Sequence, residues 1–267
     1  MAMMEEALET RIIRDPSVRL VGRLTIDEAE LDGFLADEGV ASWRTDAEVA
    51  GEKLVEVAGR LCYKSYARPR PGGNAAYLGH ILEVGHGSVI EHAVYNFIIT
   101  GVSRSFTHEL VRHRAGFAYS QRSQRFVDEK ESSFVEPDPI ADDPELHRIW
   151  TEAVLAAHAA YARLAEGLVA KFADVEDKTL RRKKAREAAR SILPNATETQ
   201  IFVTANARAL RHFIEARGDA SADAEIRKVA IALLRILQVE SPNLFGDYSI
   251  VELPSGGQSV TTPHRKV

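Results

Sequence analysis

Arginine is unusually dense in one short segment of this 267-residue chain. The stretch SRSFTHELVRHRAGFAYSQRSQRF holds five arginines and two histidines against one acid, Glu109, although acids outnumber bases 39 to 34 over the whole chain. Small and hydroxylated residues such as Gly116, Ser120 and Ser123 follow Arg114. Guanidinium groups beside serines and free backbone N–H groups bind phosphate or pyrophosphate. The composition favours such an anion site about as strongly as a solvated basic face or an ion-pair network between subunits.

A second basic run, RRKKAREAAR at 181–190, is equally typical of a solvated helix face. Arg190 differs from the other residues of the run because the apolar SILP segment follows it, where a helix face should turn inward. A buried arginine needs a partner, and a ligand anion is one candidate.

A third cluster, NARALRHFIEAR at 206–217, brings polar side chains onto a predicted helix. Asn206 and Arg217 are eleven residues apart, about three turns, and so lie along one side of a helix. His212 belongs to the same cluster, whereas Arg208 is also compatible with an ordinary surface position.

Other common catalytic and nucleotide-binding motifs are absent from the sequence. It contains no GxGxxG, GxxxxGK[ST], HExxH or GxSxG motif. His86 and His92 of GHGSVIEH are six residues apart in a predicted turn and strand, which disfavours a metal site there. The single cysteine, Cys62, excludes an intramolecular disulfide and a cysteine-cluster metal site. It lies in a helical pattern without a neighbouring histidine, so we expect a packed thiol rather than a nucleophile.

Composition predicts an ordinary globular protein, with 45% hydrophobic and 27% charged residues. A formal charge of −5 disfavours general nucleic-acid binding. The N-terminal MAMMEEALETRIIRD has no apolar signal region, and no segment approaches 18 uncharged apolar residues. We therefore expect a soluble cytoplasmic protein that binds neither membrane nor nucleic acid.

Hydrophobic periodicity indicates which elements position these residues. We predict strands over 17–25, 91–100 and 197–205, and helices over 27–37, 46–63, 74–84, 103–112, 146–172, 177–191, 206–216 and 223–239. Asn74 and Ser103 are the expected caps of their helices, and a Pro/Gly loop is expected over 67–74. Helices dominate without a βαβ rhythm, which indicates an α+β fold, one domain and no internal repeats.

The order of several motifs resembles the flavin-dependent thymidylate synthases, the ThyX family. The resemblance is carried by RHR at 112–114 and SQRSQR at 120–125, with GHGSVIEH upstream and NARALRHFIEAR and ADAEIR downstream. It covers about residues 60–250 and implies one synthase-like domain over 1–267.

This resemblance implies a reaction, a set of cofactors and an assembly. The reaction is reductive C5-methylation of dUMP to dTMP, with methylenetetrahydrofolate as the one-carbon donor and FAD, reduced by NADPH, as the hydride source. The implied fold is a mixed sheet flanked by long helices. The implied assembly is a homotetramer whose active sites lie between subunits.

The resemblance also implies roles for individual residues, and it implies no metal. Cofactor positions fall on His92, Val94, Arg112, His113, Arg114, Gln121, Asn206, Arg208 and His212. Substrate positions fall on Glu109, Arg112, Gln121, Ser123, Arg125, Arg190 and Arg217. Arg217 matches the catalytic arginine that polarises the uracil, since a fixed cation stabilises developing negative charge.

Three departures from the family pattern keep alternatives open. The loop from Ala115 to Arg122 is one residue longer than usual, either Ala118 or Ser120 replaces a usual serine, and Ser221 replaces a usual histidine. One alternative is a paralogue that methylates UMP in specialised nucleoside metabolism. Others are a non-catalytic flavin- or nucleotide-binding paralogue and an arginine-rich RNA-binding protein, the last disfavoured by charge and by few aromatics.

Overall fold

A computed structural model describes residues 12–68, 71–254 and 256–267 of the chain. Contacts between these residues divide the chain into two compact units. The first unit holds residues 12–17, 99–111 and 120–201, and the second holds the other described residues. Residues 1–11 of the N-terminal segment and residues 69 and 70 of the Pro/Gly loop lie outside the described residues.

The described residues form both helices and strands, which confirms the predicted α+β class. The helices are α1 Glu28–Asp37, α2 Ala50–Tyr63, α3 Gly73–Glu83, α4 Gly87–Ile90, α5 Arg104–Leu110, α6 Asp138–Ala141, α7 Pro144–Lys171, α8 Lys178–Ala189, α9 Ala207–Arg217, α10 Ala224–Glu240 and α11 Pro242–Phe245. The strands are β1 Ile12–Ile13, β2 Ser17–Gly22, β3 Val94–Ser103, β4 Phe117–Gln121, β5 Phe134–Val135, β6 Glu198–Asn206, β7 Ser249–Glu252 and β8 Gln258–Thr261.

The largest sheet has four strands in the order β2-β3-β6-β4. Two smaller pairs accompany it: β1 runs parallel to β5, and β7 and β8 form an antiparallel hairpin. The order of the large sheet places β3 and β6 at its centre. These two strands lead directly into α5 and α9, the helices that carry or precede many of the predicted site residues.

Alternating side chains give the central strands one buried and one open face. On β3, Tyr95 and Phe97 are buried, whereas Ile98 between Phe97 and Ile99 is partly exposed. On β6, Ile201 is buried and its neighbour Phe202 is exposed. Burying one face of a strand while the other stays accessible is the ordinary outcome of a two-residue period.

The predicted cap of α5 is confirmed and that of α3 is wrong. Ser103 Oγ accepts a hydrogen bond from Phe106 N–H at 3.0 Å. The cap of α3 is Gly72 with φ +92°, and Asn74 lies inside the helix. Its side-chain amide instead donates to a Glu56 carboxylate oxygen at 2.8 Å. A buried carboxylate needs donors, and Asn74 is used for that purpose.

Helix α5 also ends earlier than the pattern predicts. Its last residue is Leu110, so Arg112, His113 and Arg114 lie in the following turn rather than at the end of the helix. A turn exposes backbone groups and side chains in several directions, which suits ligand binding better than one helix face.

The long helix α7 begins with Asp143 as its cap and Pro144 at its first position. Val154 and Tyr161 are buried on its inner side. Leu164 follows Tyr161 by three residues in the same apolar repeat but is exposed. The next helix, α8, follows the predicted basic segment and passes into a short 3-10 turn at Arg190–Ile192.

A buried ion pair fixes helix α9 in the second unit. Arg211 is only 2% exposed and donates to both carboxylate oxygens of Asp247, at 2.7 and 2.8 Å. It also donates to the carbonyl oxygen of Leu244 at 2.6 Å and lies over the ring of Tyr248. Bidentate geometry with several further partners is what compensates the desolvation of a buried guanidinium.

Candidate active site

The RHR turn in the second unit holds two unpaired guanidinium groups. Arg112 and Arg114 are exposed, and neither side chain forms an ion pair or hydrogen bond with any residue that the structure describes. Their positive charge is therefore not neutralised by neighbouring acids. Two free guanidinium groups one residue apart can bind a phosphate or pyrophosphate group.

His113 between them is turned inward and surrounded by rings. The ring centroid of Phe213 lies 5.1 Å away and that of Phe117 lies 6.1 Å away. Burial lowers the pKa of His113 to about 4, and the charge of Arg217 and the neighbouring imidazole of His212 act in the same direction. The imidazole is therefore neutral near pH 7.

Arg217, the predicted catalytic residue, contacts this imidazole directly. Its Nε–H donates to Nε2 of His113 at 3.0 Å. Arg217 is the last residue of α9, and the backbone of His113 is held in turn because Tyr119 Oη donates to its carbonyl oxygen at 2.7 Å. The structure thus brings two of the predicted site residues together.

The loop after the RHR turn is pressed against the start of α9. Asn206 N–H donates to the carbonyl oxygen of Gly116 at 3.1 Å, and Asn206 Oδ1 caps the helix by accepting from Ala209 N–H. Gly116 has φ +75°, and a Cβ there would lie 2.8 Å from Asn206 Nδ2. Glycine is required by both the backbone conformation and the close approach.

Three of the predicted flavin contacts line one cavity of about 460 Å³. They are Asn206, Arg208 and His212, and Lys266 also contributes to the wall. Arg208 is exposed and forms an ion pair with Glu91 at 2.7 Å. It therefore lies at the surface and also lines the cavity.

Two other predicted flavin contacts, His92 and Val94, stand at the beginning of β3. His92 is exposed and Val94 is half-buried. Neither residue lines the cavity formed by Asn206 and His212.

Most of the predicted substrate positions belong to the first unit, namely Glu109, Gln121, Ser123, Arg125 and Arg190, whereas Arg112 and Arg217 belong to the second. Gln121 Nε2 donates to Thr107 Oγ1 at 3.0 Å, which fixes the side chain at the end of β4. Ser123 begins a turn, and its Oγ accepts from Arg125 N–H at 3.3 Å. Glu109 is half-buried in α5.

The Arg125 guanidinium has a partner at a terminal nitrogen but none at Nε. One of its terminal nitrogens lies 2.7 Å from a carboxylate oxygen of Glu187, a partly exposed pair. Its Nε is buried without a hydrogen-bond partner. An additional acceptor near this guanidinium would satisfy that donor, as a ligand oxygen can.

Arg190 is half-buried at the end of α8 and makes no ion pair with any described residue. It lies close enough to Arg104 to affect it: burial lowers the pKa of Arg104, Glu129 opposes this, and the charges of Arg190 and Arg122 lower it further. Mutually repelling arginines at a partly buried position favour a bound anion.

Sequence reasoning did not separate the arginines of this segment by role. Arg104 was not assigned a role and proves to share the positive region with Arg190. Arg122, in contrast, bonds to Glu198 at 2.9 Å and to the Glu198 carbonyl oxygen at 2.7 Å. Glu198 lies 76 residues further along the chain, so no local sequence signal could identify this pair.

Other expectations about reactive groups can be compared with the structure. Cys62 is exposed at the end of α2, so the prediction of a packed thiol is wrong. Within the described part of the chain, no three His, Cys, Asp or Glu side chains are grouped so that they could hold a metal ion. None of the described helices is long and apolar enough to cross a membrane.

Comparisons with known proteins agree on one family. A family model described as thymidylate synthase complementing protein matches residues 46–243. The flavin-dependent thymidylate synthase of Mycobacterium tuberculosis H37Rv is 53% identical over 232 residues, 86% of this chain and 92% of that protein. The corresponding protein of Mycolicibacterium vanbaalenii is 54% identical over 223 residues, 83% of this chain and 88% of that protein.

Solved structures share the fold at low sequence identity. The UMP/dUMP methylase PolB of Streptomyces cacaoi bound with 5-Br dUMP has a TM-score of 0.64 at 20% identity, covering 88% of this chain and 95% of that chain. The same methylase bound with 5-Br UMP gives a TM-score of 0.63.

Proposed function

Since the chain belongs to the thymidylate synthase complementing protein family, we propose the roles of its residues in flavin-dependent conversion of dUMP to dTMP. The chain is an enzyme of the methyltransferase class, and its relatives are named for their flavin. The residue roles below, the folate and NADPH co-substrates and the assembly are our proposals.

Residues of the second unit would hold FAD. The fit rests on two observations: Arg112 and Arg114 have no neutralising partner among the described residues, and Asn206 and His212 line a cavity beside the same loop. The two guanidinium groups suit the pyrophosphate, and the cavity lined by Asn206, Arg208 and His212 suits a ring system of the cofactor. The remaining proposed cofactor contacts are His92, Val94 and His113, together with Gln121 of the first unit. When bound and reduced by NADPH, the flavin would supply the hydride.

Five residues of the first unit would contribute to binding the nucleotide. Arg190 and Arg125 supply charge for the 5′-phosphate, because one lacks an ion pair among the described residues and the other retains an unsatisfied Nε–H. Ser123 adds a hydroxyl, and Gln121 and Glu109 complete the set that we assign to the substrate. Arg112 would be shared between the nucleotide and the cofactor.

Arg217 would act on the uracil ring. A guanidinium held beside the pyrimidine stabilises negative charge as N3 loses its proton, which makes C5 more nucleophilic. C5 would then attack the methylene carbon of methylenetetrahydrofolate, C5 would lose its proton, and tetrahydrofolate would leave as its bond to this carbon breaks. A hydride from the reduced flavin would finally convert the methylene group to the methyl group of dTMP. No protein thiol is needed in this sequence, and the exposed Cys62 lies apart from the proposed roles.

We also propose that residues 1–267 act as a single synthase domain in a cytoplasmic homotetramer with active sites between subunits. The open face of the large sheet supports a subunit interface, because Ile98 and Phe202 expose apolar area there. Exposed apolar patches of this kind mark association surfaces.

The observation that carries the proposed function is the group of guanidiniums without acidic partners, Arg112, Arg114 and Arg190. The test begins with the purified protein, which should be yellow from bound oxidised flavin. Incubation with dUMP, methylenetetrahydrofolate and NADPH should then yield dTMP. Absence of both the flavin and dTMP formation would contradict the proposal.

Competition between dUMP and UMP tests the substrate preference. The two nucleotides differ by a 2′-hydroxyl, which the phosphate- and uracil-binding arginines do not contact, so discrimination falls to the loop between Arg114 and Ser123. We expect dUMP to be the better substrate at equal concentrations, with UMP methylated more slowly. Preferential formation of ribothymidine monophosphate would instead identify a uridylate methylase.

A further inference from the structure

The hydrogen bond between Arg217 and His113 defines the state of the imidazole. Arg217 Nε–H is the donor, at 3.0 Å, so Nε2 of His113 must present a lone pair. A neutral imidazole with an unprotonated Nε2 carries its proton on Nδ1. The tautomer is therefore assigned by the contact itself.

The surroundings of His113 keep the ring in this state. Phe213 packs edge-on against the imidazole and Phe117 covers it from another direction. The two charged or titratable groups that act on it, Arg217 and His212, both disfavour a positive imidazole. Burial acts in the same direction and holds the pKa of His113 near 4, so the lone pair is present throughout the neutral range.

The same contact restricts Arg217. An arginine side chain has four rotatable bonds to its planar group and therefore loses much rotamer entropy when it is fixed. A hydrogen bond through Nε uses the nitrogen nearest the chain and orients the whole guanidinium plane.

We propose that His113 is a positioning residue for Arg217: its Nε2 orients the guanidinium plane that contacts the pyrimidine. This rests on the role of Arg217 under the proposed function, and it adds to the flavin contact expected for His113. The Nδ1–H is the hydrogen-bond donor that the ring can still offer to a cofactor.

Two substitutions separate the acceptor from the volume of the ring. His113→Phe keeps an aromatic ring in the cage of Phe117 and Phe213 and removes the acceptor. His113→Gln can place a carbonyl oxygen near the position of Nε2 and restores an acceptor. Both variants are assayed with saturating FAD, so that a change in flavin affinity does not enter the comparison.

We expect His113→Phe to lower kcat about 10- to 100-fold, with little change in the Kd of dUMP, because misplacement of a catalytic group costs rate more than binding. His113→Gln should recover most of this loss. In an Arg217→Ala background, His113→Phe should cause no additional loss. Equal kcat values for the Phe and Gln variants, or an undiminished additional loss in the Arg217→Ala background, would overturn the proposal.

A measurement without catalysis distinguishes this proposal from the function on which it rests. Urea midpoints of the single variants His113→Phe and Arg217→Ala and of the double variant should be less than additive, since both single changes break the same contact. Additive shifts would refute the contact and hence the positioning role. Full activity of Arg217→Ala would instead refute the assigned role of Arg217 while the stability coupling stands.

Discussion

Replacement of Asp247 by asparagine tests how strongly the Arg211 ion pair fixes helix α9. The side chain of Arg211 is 2% exposed and that of Asp247 is 11% exposed. Asp247→Asn retains the shape of the side chain but leaves the buried guanidinium without its counterion. Removing one partner of a buried pair costs about 3–5 kcal/mol. We expect a value near the lower end, because the Leu244 carbonyl oxygen still accepts from Arg211 at 2.6 Å.

Urea unfolding at fixed protein concentration measures this loss, since the midpoint falls in proportion to the free energy of unfolding. A matched control is Glu145→Gln, which breaks the exposed pair with Arg148 on α7. This control should leave the midpoint unchanged, because exposed pairs contribute little. Equal shifts for Asp247→Asn and Glu145→Gln would refute the reasoning.

The pH dependence of the same experiment has a definite sign. Burial alone would raise the pKa of Asp247, but hydrogen bonds and charge from Arg211, with Thr262 and His264, hold it below its ordinary value of 3.8. The stabilisation is therefore present above this value and is lost as the pH falls through the lower pKa of the folded state. The difference between wild type and Asp247→Asn should narrow below pH 4.

Four further predictions concern the proposed site and its surroundings. Arg114→Ala should release flavin with an unchanged circular dichroism spectrum, because it removes an exposed cation and no core volume; flavin retained at wild-type stoichiometry would contradict this. Cys62→Ala should form dTMP at the wild-type rate in a turnover assay. Complete loss of turnover in a folded, flavin-replete variant would show instead that the reaction requires the Cys62 thiol. Arg190→Gln should weaken dUMP binding in calorimetry and raise the thermal midpoint of the ligand-free protein, since it removes repulsion from Arg104; unchanged affinity would argue against the phosphate role. Burial lowers the pKa of His113 from 6.5 to about 4, so the unfolded state binds a proton at a higher pH than the folded state does. The free energy of unfolding should therefore decrease as the pH is lowered from 6.5 to 4. Urea titrations of His113→Gln should show a weaker dependence of this free energy on pH.

Local patterns predicted the elements well where one face of an element is buried. The alternation of apolar residues around Phe97 predicted strand β3, and Ser103 was correctly predicted as the residue that caps the start of α5. The expectation of a packed thiol at Cys62 failed, and Leu164 is likewise exposed within an apolar repeat, because periodicity identifies an apolar or helical position but does not determine whether another element covers it. Burial is a tertiary property.

The candidate site was predicted through motifs, and its contacts were not. The RHR motif identified His113, yet its bond to Arg217 joins residues 104 positions apart. Likewise, nothing in the local sequence distinguishes the roles of Arg122 and Arg125, although in the structure only Arg122 forms an ion pair with Glu198. Which arginine serves the fold and which remains available depends on partners that local sequence does not reveal.

The repulsion between Arg104 and Arg190 has a consequence for the lifetime of the protein in a cell. A ligand that binds only the folded state stabilises it by an amount that grows with the logarithm of ligand concentration. Here the anion would also remove an unfavourable interaction that the empty protein carries. Proteases that act on transiently opened chains would therefore degrade the enzyme faster when its nucleotide is scarce. Cellular abundance of the enzyme would then follow the supply of its own substrate without a dedicated regulator.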